Sequence, residues 1–329
     1  METNHLQQDK ILNYTSLYDQ NSKVDYVSEP KEQWGGSWTE QKLDAFAKYV
    51  KAYLTIMNSH RDKYNWKLIY FDGFAGSGTR EGNKNCEEIN KTLFDLSEIE
   101  ETECNVYIGA AERVASLNDI RGFDYYYFNE KDEDSCESLR EKLSKYESNG
   151  KRFVFRSKDA NEEVKNLANA HLQNNKLKSL VLLDPFGMQL NWESISTLKK
   201  CSSDVWILLP SGAIINRLLD GNGNLKFSPK LQKFFGMSEN EIKNFFYANK
   251  TEKTLFGEEE RLQKLPNAIP RIAELYVKRL KDIFEFVTEK PLILYNTRGT
   301  PIFHFVFASN NATATKIASE IVGYKRKNS

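Results

Sequence analysis

Apolar positions in this chain fall into two rhythms, and their order along the sequence predicts a fold. From Leu43 through Phe46, Ala47, Val50 and Leu54 to Met57 they recur at three-and-four spacing, which places them on one face of a helix. Ser37 and Glu40 stand where a capping box would open that helix. A short apolar run at 67–71 follows and reads as a buried strand. From Tyr125 onward such runs alternate with helical stretches: strands at 125–130, 152–156, 179–183 and 204–209, helices at 135–146, 161–173 and 192–200. Strands that are apolar throughout and alternate with helices predict a parallel sheet covered on both faces. Residues 291–295 and 301–309, joined by Asn296-Thr297-Arg298-Gly299-Thr300, predict an antiparallel hairpin. The expected fold class is α/β: a mostly parallel, doubly wound sheet that ends in an antiparallel hairpin.

Three stretches fall outside that alternation. Residues 1–33 are polar and predict a peripheral arm, leaving 34–329 as the α/β domain. Residues 81–104 are charged and poor in aliphatics, and predict an insertion ahead of a crossover helix at 105–117. Residues 211–285 predict a mainly helical insertion, broken at Asp220-Gly221-Asn222-Gly223-Asn224, that caps the edge of the site.

Composition narrows the function classes. The 329-residue chain balances 46 Lys and Arg against 46 Asp and Glu, so any nucleic-acid partner needs a local basic patch. Cys86, Cys104, Cys136 and Cys201 are scattered, as are His5, His60, His171 and His304; neither set has metal-ligand spacing, and no metal is expected. The polar start METNHLQQDK lacks a signal-peptide pattern, and no run approaches the ~18 apolar residues of a membrane span. The sequence therefore predicts a cytoplasmic protein without a membrane partner. Basic clusters at Lys278-Arg279-Lys281 and Lys325-Arg326-Lys327 read as solvated faces.

The chemistry concentrates where strands end. The run Leu68-Ile69-Tyr70-Phe71 meets Asp72 and passes into Gly73-Phe74-Ala75-Gly76-Ser77-Gly78. A strand entering a bare-backboned turn lets a nucleotide approach the main chain, and ligands of open α/β sheets sit beyond the strands' carboxyl ends. Asp72, Gly76 and Gly78 are spaced D-x-x-x-G-x-G rather than G-x-G-x-x-G, the dinucleotide spacing. Glu130 ends the next strand, where a carboxylate can accept two ribose hydroxyls, although Asp132 and Glu133 stand close enough to serve instead. Asp159-Ala160 follows the third strand, where the acid can hold an adenine amino group and the next N–H can meet the ring. Asp184-Pro185-Phe186-Gly187 ends the fourth, and Leu208-Leu209-Pro210-Ser211-Gly212 ends the fifth. Arg217 is equally a phosphate ligand or an ordinary surface arginine. Trp38, Thr39 and Lys42 open the first helix near the expected cofactor mouth, with helix capping and a solvated lysine as the simpler account.

Two of these segments resemble known motifs. D-x-F-x-G-x-G resembles motif I of S-adenosylmethionine-dependent methyltransferases, in which Gly73, Phe74, Ala75, Gly76 and Gly78 would border the cofactor and Asp72 would hold its amino-acid end. That cofactor carries no phosphate, so the loop needs close approach and an acid rather than a helix N-terminus. D-P-F-G resembles the D/N-P-P-Y/F motif of enzymes that methylate exocyclic amino groups of bases. There Asp184 and the Pro185 carbonyl would accept from the target NH2 while Phe186 stacks on the base. The missing second proline brings the segment closer to tRNA guanine-N2 methyltransferases. The alternative is a strand-end turn in which Pro185 and Gly187 are structural.

The ordered set W-T-E-Q-K-L, Y-F-D-G-F-A-G-S-G, F-N-E, L-L-D-P-F-G, I-L-L-P-S-G, K-F-F-G and P-I-F-H-F-V-F-A-S resembles the three-Cys-motif partner proteins, from residue 34 to the C-terminus. Gly109-Ala110-Ala111 departs from the Gly-Ser-Pro of that family. The resemblance implies a Rossmann-like class I methyltransferase fold of prokaryotes, encoded beside a radical-enzyme-like protein that carries the three cysteines. The expected function is an S-adenosylmethionine-dependent methyltransferase that N-methylates a nucleobase in RNA or DNA. A non-catalytic methyltransferase-fold partner in a multi-protein or defence system, and a small-molecule or protein methyltransferase, are the alternatives.

Overall fold

The computed structural model describes residues 37–76, 109–149, 151–185, 187–254, 257–296 and 298–327. The expected arm 1–33, the insertion 81–104, the cap contributed by Ser37, and residues Gly78 and Phe186 lie outside the described residues. All the described residues belong to one unit spanning 35–329.

Helix α1 (Ser37–Tyr64) leads into β1 (Lys67–Asp72). After a helical segment at 109–115 come β2 (Tyr125–Asn129), α2 (Glu133–Leu143), β3 (Arg152–Arg156), α3 (Ala160–Gln173), β4 (Leu177–Leu183), the short α4 (Trp192–Ser196) and β5 (Ser203–Leu209). Each strand starts or ends within two residues of its expected limits. Aspartates cap two of the helices from extended backbone: Asp132 accepts from the Ser135 N–H and Asp159 from the Asn161 N–H, both at 2.9 Å.

The sheet order is β3-β2-β1-β4-β5 in parallel, followed by the antiparallel strand β10 (Pro301–Ser309). The outer edge of β10 is covered by β9 (Leu292–Tyr295) along its first half and by β8 (Phe286–Val287) at its end. This is the Rossmann-like, mostly parallel doubly wound sheet expected from the sequence, with an antiparallel final strand.

Period-two alternation sends successive residues to opposite cores. Leu68, Tyr70, Phe128, Leu182, Trp206, Phe303 and Phe305 pack beneath α1, the 109–115 segment and α8 (Ala312–Lys327). Phe71, Val181, Leu183, Ile207, Val306 and Ala308 pack against α3, α4 and α7 (Ala268–Leu280). Because both faces are covered, the strands carry hardly any polar residues except at their ends.

The stretch 211–285 holds α5 (Ser228–Phe235), α6 (Glu239–Phe246) and α7, and also an antiparallel pair, β6 (Tyr247–Thr254) with β7 (Gly257–Lys264). The pair adds strand to a segment read as mainly helical. YANKTEKT and GEEERLQK have no apolar face, so no alternation announces them. The turn at 220–224 closes on Asp220, whose carboxylate accepts from the N–H groups of Asn222 (2.8 Å) and Asn224 (2.9 Å).

Beyond β5 the chain enters a π-type turn, Ser211–Ile215, in which the Pro210 carbonyl accepts from both the Ile214 and Ile215 N–H groups. Gly212 lies against β10 so closely that a Cβ would stand 2.0 Å from the Pro301 carbonyl oxygen. Backbone cannot swing aside as a side chain can, so Gly212→Ala is expected to destabilise the fold by about 1–3 kcal/mol. Urea unfolding followed by far-UV circular dichroism measures that loss.

Candidate functional site

Parallel strands bring their carboxyl ends to one edge, and that edge gathers Asp72, Glu130 and Asp184 from β1, β2 and β4. Asp72 is buried, 1% exposed. Its carboxylate accepts from the Phe74 N–H (3.2 Å) and from the Tyr70 hydroxyl (3.1 Å). The loop 73–76 is tied to neighbouring strand ends: the Gly73 N–H donates to the Leu182 carbonyl (3.0 Å), and the Ala75 N–H to the Asn129 carbonyl (2.8 Å). Gly76 sits at φ +67°, a left-handed backbone that favours glycine, and its N–H donates to Glu130 Oε2 at 3.0 Å. The loop and Glu130 therefore form one unit. Glu130 Oε1 accepts from the Asp132 N–H, so Asp132 supports Glu130 through its backbone while its side chain caps α2.

Asn129 braces this unit. Its Nδ2 donates to the carbonyls of Gly73 (3.2 Å) and Lys158 (3.1 Å), and its Oδ1 accepts from the Lys158 N–H (3.3 Å). One buried amide thus joins the ends of β1, β2 and β3. Its signal lies in the F-N-E segment, where the acid draws the eye and the amide beside it does not. Asp159, after β3, caps α3, with buried Ala160 at the first helical position.

Asp184 ends β4 and is buried. Lys42 Nζ of α1 stands 2.5 Å from Asp184 Oδ2, with both side chains at least nine-tenths buried. This corrects the expectation of a solvated lysine: Lys42 is 3% exposed and reaches the strand end under the Trp38 ring, 5.7 Å from its centroid. Lys42 lies four residues before Phe46 on the apolar face of α1, so a lysine interrupting a buried stripe is the signal the sequence carries.

The electrostatics follow from this placement. Asp72 and Asp184 are neighbouring buried carboxylates, and the ammonium near them is in contact with Asp184. Burial first pushes the Asp72 carboxyl up to about 7; the charge of Asp184 adds to it, while the Phe74 N–H, the Tyr70 hydroxyl and Lys42 pull the other way. Burial raises Glu130 as well, against the backbone N–H groups it accepts from.

On the far side of Asp184, Pro185 is buried. Gly187 approaches the π-type turn, where an added Cβ would stand 3.2 Å from Ile214 Cδ1. Ser211, which opens that turn, is hydrogen-bonded to His304 Nδ1 of β10 at 2.6 Å, with both residues buried. In the sequence P-S-G and F-H-F stand far apart. Only the register of β10 on β5, His304 opposite Leu209, brings them together.

No protein-family model matches this chain, and no curated protein matches it significantly in sequence. Similar solved structures include yhhF from Escherichia coli, described as a candidate methyltransferase, at 12% identity over 64% of this chain and 83% of that chain, TM-score 0.25. Another is Trm1 from Pyrococcus horikoshii in complex with S-adenosyl-L-methionine, at 10% identity over 92% of this chain and 77% of that chain, TM-score 0.33. The architecture described above rests on this chain's own strand order. Among the described residues, no helix is long and apolar enough to cross a membrane.

The Lys42–Asp184 pair is expected to be worth more broken than whole. Lys42→Met leaves a buried carboxylate without its ammonium and should cost about 3–5 kcal/mol in urea unfolding, whereas Lys42→Met with Asp184→Asn should recover a large part of it. Equal losses in the single and double variants would show that the two groups do not act as a pair.

Proposed function

We propose that this chain is an S-adenosylmethionine-dependent methyltransferase that N-methylates an exocyclic amino group of a nucleobase in RNA or DNA. The observation that carries the reading is the buried carboxyl of Asp72 at the strand ends, held up at about 7 by its burial beside Asp184. Among the described residues the ammonium near both carboxylates, Lys42, is in contact with Asp184. A ligand that brings a cationic amino group to Asp72 would pair with that carboxyl, and the amino-acid end of S-adenosylmethionine is such a group. Gly76 in its left-handed turn leaves the backbone bare for close approach, and Glu130, tied to it, would accept the ribose hydroxyls. Asp159 and Ala160 would take the adenine. These residues fit the cofactor, which when bound supplies an electrophilic methyl group.

On the acceptor side, Asp184 and the Pro185 carbonyl would accept hydrogen bonds from the target amino group. Those bonds turn the nitrogen lone pair out of conjugation and hold it for attack, so the protein contributes positioning and electrostatics. Lys42 keeps the Asp184 carboxylate fixed while it does so. A base reaches such a pocket only from a single strand or flipped from a duplex.

A second reading has one observation in its favour: Asp184 is already engaged by Lys42, as a structural carboxylate would be. In that reading the chain is a non-catalytic partner of a protein with the three-cysteine motif. Tritium transfer from S-adenosylmethionine to total tRNA, rRNA, DNA and protein separates the two and identifies the acceptor class. Asp72→Asn should abolish cofactor binding by isothermal titration. Asp184→Ala should leave binding near normal and reduce transfer by at least about a hundredfold; full activity in that variant would remove Asp184 from the reaction.

The raised pKa of Asp72 gives a pH signature. Below about 7 the free protein holds a proton on Asp72 that a cationic ligand displaces, so cofactor affinity should rise with pH through about 7 and fall again once the ligand's own amino group loses its proton, at about 8. Titrations in buffers of different ionisation enthalpy should detect proton release on binding at acid pH and proton uptake at alkaline pH. The same shift means that Asp72's contribution to folding stability, present below its unfolded pKa near 4, is lost as pH rises through about 7.

A further inference from the structure

The opposite edge of the sheet, at the amino ends of the strands, carries a second feature that the site above does not use. A cleft of about 490 Å³ opens there between the end of α1, the segment before β2 and the start of β3. Its lining includes five cationic side chains, Arg61, Lys67, Arg121, Lys151 and Arg152, and one carboxylate, Asp124. Asp124 is taken up by Arg61 at 2.6 Å, and Arg121 is paired with Asp62 at 2.8 Å. Lys151 donates to the carbonyl of Leu117 and to Asn118 Oδ1, both at 3.0 Å, which satisfies its hydrogens without cancelling its charge. Lys67 lies 3.7 Å from the already paired Asp124, and Arg152 rests over the Tyr125 ring. In a chain of zero net charge this is a local positive surplus.

The surplus continues across the sheet. The register sets Arg152 beside Tyr125, and Lys67 and Leu68 beside Leu177 and Lys178, so cations stand on β3, β1 and β4 in order, with the Tyr125 ring of β2 between the first two. Lys178 sits below the ordinary lysine range because of its burial and then because of Lys176. Next to it lie two aromatic rings, Tyr64 exposed and Trp66 half-buried, with the His60 ring 6.2 Å from each, centroid to centroid. Tyr64, 42% exposed, stacks on Trp66 with centroids 5.0 Å apart and planes 22° from parallel. Lys63 lies over the first ring and Lys178 over the second, each at 5.2 Å.

We infer that this edge binds single-stranded nucleic acid, with phosphates along the cationic row and a base on the Tyr64–Trp66 platform. Cations spaced along a track, interleaved with parallel rings, are the chemistry that holds an unpaired strand without reading its sequence. An acidic peptide would use the charges but not the rings, and a duplex hides its base faces. The inference deepens the proposed function and rests on it in one respect: a base presented at the carboxyl ends belongs to a strand that this edge, about 20 Å away along β1, can grip.

The test is fluorescence anisotropy with a labelled oligouridylate and no cofactor. Uracil has no exocyclic amino group, so the result does not depend on whether methyl transfer occurs. Binding should be seen at low salt and weaken steeply as salt rises. Lys67→Glu with Arg152→Glu and Lys178→Glu should weaken it at least about tenfold, and Tyr64→Ala about five- to tenfold, with melting temperatures close to the parent. If the charge-reversed protein melts early, Lys67→Gln with Arg152→Gln leaves the buried pairs in place and should still cost about fivefold. No binding at low salt, unchanged affinity in these variants, or equal competition by duplex DNA or polyglutamate would overturn the inference.

Discussion

The buried contact between Lys42 and Asp184 is the constraint on which the rest of the site depends. Removing an ammonium and a carboxylate from water costs several kcal/mol for each ion, and only close mutual contact offsets it. That contact requires α1 to lie across the end of β4. Two further contacts hold the same helix along its length: the Tyr49 hydroxyl donates to Asp204 of β5 at 2.8 Å, and Arg61 pairs with Asp124 ahead of β2 at 2.6 Å. One 28-residue helix is thus pinned over three strands by polar groups at its start, middle and end. Its apolar face supplies the burial, and these contacts select one placement among the many that burial alone would allow.

The same pair sets the chemistry next door. With Lys42 committed to Asp184, its field reaches Asp72 weakened, and burial decides the balance. Lys42 stands in contact with Asp184, and the neighbouring carboxyl of Asp72, further from that ammonium, is pushed up to about 7 by its burial. The strand ends divide into a fixed half and a responsive half, and the responsive half is the one flanked by the glycine loop.

Most of the sheet was legible because parallel strands buried on both faces leave little choice of residue: LIYF, LVLL and VWILL read as strands in any context. The carboxylates were legible too, since topology alone brings the ends of β1, β2 and β4 to one edge. What could not be read was who faces them. Lys42 and Asp184 are 142 residues apart, and nothing local to either announces the other. Asn129 stood in plain sight, but its role depends on the Gly73 and Lys158 carbonyls, which arrive from two other strands. The β6–β7 pair was invisible for the opposite reason: its sequence carries no continuous apolar face, so the signal from which strands are recognised is missing.

The turn beyond β5 shows why the final strand is more than an edge. Because β10 runs antiparallel to β5, its first half lies beside the carboxyl end of β5, where a parallel strand would bring its last residues. His304 therefore meets Ser211 at the first residue beyond Pro210. The π-type turn adds a residue to the helical circuit and re-aims the chain beyond it, a device found often at functional sites. Gly212 lets that turn sit flush on Pro301, and Ile214 then reaches back to Gly187 beside Asp184. The surroundings of Gly187 are thus set by the direction of a strand whose own residues end more than a hundred positions later. A fold with the same five parallel strands and a parallel sixth could keep the glycine loop and its carboxylates, but it would have no His304 at this place to hold Ser211.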